Sequence, residues 1–214
     1  MRPLKLRALR DSLPRANAAA LVAGALLLAG APSALRAAEV AGVRFADQAT
    51  VASKPLVLNG TGVRYKAVFK VYAAGLYLPH KTQSAEEILH IGAEPRRLQL
   101  TMLRDIDSAE FGKMFYRGME DNMDRNSFAK LVPGVLRMSQ VFTDFKKSRE
   151  GDVITIDWVP GTGMLIGVNG KPASEPFKEP EFFTALLRIW LGSKPADWKL
   201  KDALLGKGDA SPAS

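Results

Sequence analysis

Between Val43 and Leu78 apolar and polar residues alternate in short runs, at the period of two that marks β-strands. Val43 and Phe45 alternate with polar neighbours, and Pro55–Leu58 is a short apolar run before Asn59-Gly-Thr-Gly62, which reads as a turn. From Val63 onward Tyr65, Ala67, Phe69 and Val71 share one side, while Arg64, Lys66, Lys70 and Tyr72 share the other. The pattern predicts one buried face and one mixed face. Leu98, Leu100 and Met102 alternate within Arg97–Arg104 and predict another strand.

The period then lengthens. Ser84–Glu87 spells a capping box, so a short helix follows it. Phe111, Met114, Phe115, Gly118 and Met119 recur at helical spacing behind a cap at Asp107 or Ser108, with Met123 one turn further on. A second helix is expected after Pro133, carrying Val135, Leu136, Met138, Phe142 and Phe145 and stopping near Gly151. Val153–Val159 and Met164–Val168 read as a hairpin, and Asn169-Gly170 signals a turn into one more strand. Pro180–Leu191 has Pro at its start and Gly192 just past its end, the asymmetry of a helix, and a short helix follows to near Gly206. Strands in hairpins with helices grouped between them predict a single α+β domain, an antiparallel sheet covered on one face by helices.

The first 38 residues stand apart. Arg2, Lys5, Arg7, Arg10 and Arg15 precede the apolar run Ala18–Ala31 and the small-residue stretch APSALRAA, the layout of a secretory signal peptide cleaved near Ala37 or Ala38. The run is about 14 residues, short of the roughly 20 that span a bilayer. The expectation is therefore an exported, periplasmic or secreted protein with no stable membrane anchor after processing. Its domain would cover 39–206, ahead of a disordered tail at 207–214. Residues 1–38 hold six of the 30 Lys and Arg and one of the 22 Asp and Glu, so the rest carries 24 basic and 21 acidic groups, a net of +3. Those charges are interspersed, and no basic stripe alternates with stacking aromatics, which argues against a nucleic-acid partner. The chain has no cysteine, hence no disulfide and no thiolate chemistry.

Candidate chemistry is sparse. His80 and His90 have no ligand cluster at metal spacing around them, and a surface or capping role is expected, with neither metal nor cofactor. Glu120, Asp121 and Asp124 read as a solvated helix face. GTG at 60–62 and at 161–163 lacks the strand–turn–helix context of a dinucleotide or phosphate loop, and both read as turns. The Phe and Met stripe of the 108–123 helix reads as core, although methionines also line yielding apolar pockets. Arg64 and Tyr72 remain. A guanidinium offers a planar fork to a carboxylate and a tyrosine hydroxyl can add a donor, but a structural arginine paired to an internal Asp or Glu fits the sequence equally. Eight residues of continuous strand span about 26 Å, so the two can cooperate only if the chain bends back between Tyr65 and Lys70.

Several stretches carry a family resemblance: GTGVR at 60–64, FKVYAAGLYL at 69–78, SAEFGKMFYRGMEDNM at 108–123, EGDVITIDWVPGTGMLIGVNG at 150–170 and EFFTALLRIWLG at 181–192. In order and spacing the chain resembles the chalcone isomerase family from about Val40 to Gly206, especially its bacterial chalcone-isomerase-like members and plant fatty-acid-binding relatives. The resemblance implies an open-faced β-sandwich, with a ligand cleft between a large antiparallel sheet and its helices and the family arginine on a β-hairpin. Arg64 matches that arginine, which in the plant isomerases positions and stabilises the reacting oxyanion. Tyr72 stands where the active isomerases have threonine. Their helix tyrosine corresponds to Phe111, Lys113 is one residue out of register with their lysine, and their asparagine and late threonine have no counterpart. Without those donors the electrostatic stabilisation that cyclisation needs is largely gone.

The expectation is a non-catalytic protein of this fold that binds a small apolar acid, such as a fatty acid. Arg64 would hold the anion and Tyr72 would add a hydrogen bond, with Phe111, Lys113, Met114 and Phe115 around the ligand. An intramolecular lyase or isomerase with an unknown substrate is one alternative. An interaction protein whose cleft is filled by its own side chains is the other.

Overall fold

Hydrophobic alternation and helical periodicity organise the described residues into eleven strands and five helices. The computed structural model of the protein describes residues 37–90, 92–144 and 147–208. The expected signal peptide lies almost wholly outside the described residues. In chain order the elements are β1 (Ala37–Val40), β2 (Val43–Ala46), β3 (Gln48–Val51), β4 (Lys54–Lys66), β5 (Phe69–Leu78), α1 (Ala85–Leu89), β6 (Arg96–Met102) and β7 (Ile106–Asp107). They continue with α2 (Ser108–Asp121), α3 (Arg125–Asp144), β8 (Lys147–Ser148), β9 (Val153–Val159), β10 (Gly163–Val168), β11 (Lys171–Pro172), α4 (Pro180–Leu191) and α5 (Trp198–Leu204). β1 includes Ala37 and Ala38, two residues ahead of the expected domain start. At the other end Lys207, assigned to the tail by the sequence pattern, still donates its amide to Asp202 (2.9 Å).

Seven strands form one antiparallel sheet in the order β11-β10-β9-β6-β5-β4-β3. Its helix-facing side carries Tyr72, Ala74, Leu76, Leu98, Leu100, Ile154 and Ile156, packed against Phe111, Phe115, Phe182, Leu186 and Trp190 from the helices. The opposite side is not bare. Phe45 of β2 lies so close over Gly75 that a Cβ there would sit 2.6 Å from its ring, and Leu56, Ala73 and Tyr77 complete this smaller core. On the same side Arg97 and Asp157, register partners across β6 and β9, make a bidentate pair at 2.7 and 2.6 Å.

The caps follow the sequence closely. Ser84 accepts the Glu87 amide, Asp107 accepts those of Ala109 and Glu110, and Gly192 ends α4. The Asn169-Gly170 turn has φ of 51° and 77°, the left-handed pair that such a turn requires.

Four local expectations are corrected by packing. First, Asn59-Gly-Thr-Gly62 is not a turn but the middle of β4. Second, α3 does not begin after Pro133; it starts at Arg125, with Asp124 accepting the amides of Asn126 and Ser127, and buries Phe128 and Leu131. Pro133 and Ala129, whose carbonyl loses its partner, are both exposed, so water can take that bond. α3 also ends sooner, at Asp144, ahead of β8; Leu136 is exposed and Phe145 lies outside the described residues. Third, Tyr65, Ala67 and Phe69 do not share a buried face with Val71, because the chain reverses at Ala67-Val68 and leaves all three exposed. Fourth, the GTG at 161–163 is half turn and half strand, since Gly163 opens β10 with its backbone against Phe177.

Candidate functional site

The reversal at Ala67-Val68 meets the geometric condition for Arg64 and Tyr72 to act together: they are direct partners across β4 and β5. Alternation then sets their side. Gly60, Gly62 and Arg64 pair with Leu76, Ala74 and Tyr72, the β5 residues that face the helices. The two glycines are there because α5 lies directly on them. A Cβ on Gly60 would come within 2.0 Å of the Ala203 carbonyl oxygen, and one on Gly62 within 2.8 Å of the Ala203 Cβ. Arg64 is the next helix-facing residue, where α5 begins. Asp197 caps that helix through the Leu200 amide (3.1 Å) and ties it to β4 by accepting the Tyr65 amide (3.0 Å).

Tyr72 is 3% exposed and its hydroxyl accepts the Trp190 Nε1–H at 2.9 Å. Among the described residues nothing accepts the hydroxyl proton, so it is free to be donated inward. Burial pushes the Tyr72 pKa up to about 12; the Arg64 charge and the Trp190 hydrogen bond pull it the other way, and Asp197 adds to the rise. Tyr72 therefore stays neutral near pH 7, as a donor and not a base. Arg64 is half-buried, and its one hydrogen bond among the described residues is a long contact to the Tyr65 carbonyl (3.5 Å). No carboxylate of the described residues lies within ion-pair distance of it, so the structural-arginine alternative finds no partner acid.

Arg64, Tyr72, Phe111, Met114 and Phe115 line one small cavity together with Ile189, Trp190 and Ala196. Five of the six expected site residues are thus brought together. Lys113 is not: it sits on the exposed face of α2, between the residues that line the cavity. Trp190 was missed by sequence reasoning, because nothing near residue 190 announces a hydrogen bond to a tyrosine 118 positions away. Asn122 was missed as well. Its side chain binds the Lys194 amide and carbonyl and the Gly118 carbonyl (2.8–2.9 Å), clamping the loop that delivers Ala196 and Asp197.

The cavity measures about 20 Å³, room for about one water molecule. Edge-on aromatic contacts fill the rest: Phe111 against Tyr72 (6.3 Å), Phe115 (4.8 Å) and Phe142 (5.3 Å), and Phe115 against Trp190 (5.6 Å). Chemically the site can offer an anion one guanidinium and one phenol donor against an apolar wall. Among the described residues no group of His, Asp and Glu could hold a metal ion, and His80 pairs with Glu87 (2.8 Å) at the surface.

The raised Tyr72 pKa has a measurable sign. Below the ordinary value of 10.0 both folded and unfolded chains keep the proton and its burial costs nothing extra. As pH rises from 10 through 12 the unfolded chain ionises first, so stability falls by roughly 2–3 kcal/mol on this account. Urea unfolding across that range should show the fall, and Tyr72→Phe should flatten it in part, the remainder coming from Tyr77, also raised to about 12 by burial. An unchanged alkaline slope in Tyr72→Phe would contradict the assignment.

Comparison with known proteins adds to this geometry. The family model described as chalcone isomerase-like matches residues 37–206. A fatty-acid binding protein of Arabidopsis thaliana, known from its crystal structure, is similar in fold, with a TM-score of 0.64. The match covers 79% of this chain and 96% of that one, at 15% sequence identity. No curated protein matches the sequence significantly.

Proposed function

The chain belongs to the chalcone isomerase-like family, and from that premise we propose that it is an exported, non-catalytic binding protein for a small apolar carboxylic acid. One observation carries the reading: a half-buried guanidinium lies in register with a buried tyrosine, and among the described residues the first has no carboxylate partner and the second no acceptor for its hydroxyl proton. Such a pair of donors suits a carboxylate, which accepts at both oxygens. The Trp190 N–H orients the Tyr72 hydroxyl, since it occupies a lone pair and leaves the proton to point elsewhere. A neutral tyrosine, one arginine and a phenylalanine at position 111 form a poor acid–base set, which argues for holding an anion rather than transforming it.

The apolar tail must displace side chains to enter. A cavity of about 20 Å³ compares with roughly 300 Å³ or more for pockets that bury a whole ligand. Met114, unbranched and half-buried on α2, is the side chain best suited to give way. Any energy needed for this opening lowers the apparent affinity, because only the open fraction binds. The same small volume supports a second reading, in which the cleft is filled permanently and the protein acts through its surface.

Titration of the protein with a saturated fatty acid and with the alcohol of equal chain length separates the two. The acid is expected to bind saturably and the alcohol at least tenfold more weakly, while chalcone cyclisation stays at its spontaneous rate. Equal weak binding of both, or none, favours the filled cleft; saturable cyclisation lost in Arg64→Ala would establish an enzyme.

A further inference from the structure

A hairpin tip ordinarily carries Gly, Asn or Asp, which tolerate the turn and face water. The tip joining β4 to β5 reads Lys66-Ala-Val-Phe-Lys70 instead, with Ala67 held at a φ of 54°. Val68 is 82% exposed and Phe69 58%, and Tyr65 beside them is 43% exposed. Trp198, 60% exposed, follows Asp197, whose carboxylate takes the Tyr65 amide, so it belongs to the same end of the molecule. These apolar groups lie outside both hydrophobic cores. A local rule broken without a folding benefit marks a functional surface.

The charges around the tip select its partner. Lys66 and Lys70 flank the turn, Arg104 lies over the Phe69 ring at 5.0 Å, and Arg64 stands two residues back. Among the described residues Lys66 alone of these makes an ion pair, with Glu110 at 3.0 Å. A few protruding apolar side chains do not amount to the roughly 800 Å² per partner that a stable protein interface buries. Aliphatic and aromatic groups ringed by cations match a lipid interface, where the apolar tips enter the acyl boundary and the cations meet phosphates. We infer that the β4–β5 hairpin tip docks this protein onto the surface of an anionic phospholipid bilayer. Each Lys or Arg near such a surface strengthens binding roughly fivefold. The docked tip would set the Arg64 end of the cavity against the membrane. The inference does not depend on acid binding, since docking is measured without any added acid.

The chain has no cysteine, so Val68→Cys creates a single labelling site in the protein purified after export. A polarity-sensitive fluorophore there should shift to the blue with vesicles of phosphatidylglycerol and phosphatidylcholine, and not with phosphatidylcholine alone. The same label on Thr162→Cys, exposed in the β9–β10 turn at the far end of the sheet, should not respond. Adding Phe69→Asp to the Val68-labelled protein should weaken the response at least tenfold, with the fold intact because Phe69 is largely exposed. No response at position 68, an equal response at 162, an equal response to uncharged vesicles, or indifference to Phe69→Asp would each overturn the inference.

Discussion

Arg64→Ala is expected to weaken binding of a fatty acid roughly ten- to a hundredfold while leaving the stability of the ligand-free protein almost unchanged. The first half follows from the strength of a charge-assisted bidentate pair, about 1.5–3 kcal/mol when partly shielded from water. Arg64 is only half-buried, so the lower part of that range is the better expectation. The second half follows from what surrounds it. With no carboxylate of the described residues within ion-pair distance, its removal strands no buried charge among them, and a change within about 0.5 kcal/mol is expected. A structural arginine would behave in the opposite way, since losing one partner of a buried pair costs roughly 3–5 kcal/mol. Arg64→Lys should restore part of the affinity, because an ammonium supplies charge without the planar fork. Binding titrations and thermal melts on the same two variants decide the matter. A large loss of stability with unchanged affinity would remove Arg64 from the site.

Gly60→Ala is expected to be among the most damaging single changes in the chain. The added Cβ would sit 2.0 Å from the Ala203 carbonyl oxygen and 2.9 Å from that of Leu204. Both are backbone atoms of α5 and its C-cap region, so no rotamer change relieves the clash; the helix itself must lift. α5 contributes Leu200 and Leu204, and Leu205 follows it, all at most 1% exposed. Asn59 beside the glycine anchors the same segment by donating to the Leu204 carbonyl at 2.7 Å. Overpacking of a tight contact costs typically 1–3 kcal/mol. With backbone on one side the upper end applies, about 3 kcal/mol, or roughly 6–12 °C in thermal midpoint for a domain of this size. Gly92→Ala is the control: nothing lies within 4 Å of its would-be Cβ, and its midpoint should hardly move. Equal melts for the two variants would show that α5 does not rest on β4 as described.

Gly60 and Arg64 stand four residues apart on the helix-facing side of one strand, and they illustrate how differently the sequence speaks. Asn59-Gly-Thr-Gly62 reads as a turn and the strand only from Val63 onward, because glycine lowers strand propensity and usually marks a turn. Only the helix lying on it explains why side chains are excluded at 60 and 62 and why an arginine can follow. The pairing of Arg64 with Tyr72 needed the reversal at Ala67-Val68, which carries no ordinary turn residue, so that only the family resemblance and no local turn chemistry pointed to a hairpin there. Lys113 fell out of the site because a helix turns about 100° per residue, placing it on the solvent side while Phe111 and Phe115 face inward.

What the amino-acid sequence determined by itself was everything set by near neighbours. The stripe of Phe111, Phe115 and Met119, the start of α4 at Pro180 and its end at Gly192, the Asp107 and Ser84 caps and the Asn169-Gly170 turn follow from local spacing and backbone chemistry. With them came the α+β class and, through the order of its motifs, the family. Tertiary structure decided what depends on distant partners. It made Asn59-Gly-Thr-Gly62 a strand and carried α3 through Pro133. It also joined Trp190 to Tyr72 and closed the cavity to about 20 Å³. Local propensities are worth tenths of a kcal/mol to about 1 kcal/mol per residue, and about 3 kcal/mol for proline, and burial of several large side chains outweighs them. A residue's role in the site is therefore set by what the rest of the chain packs against it.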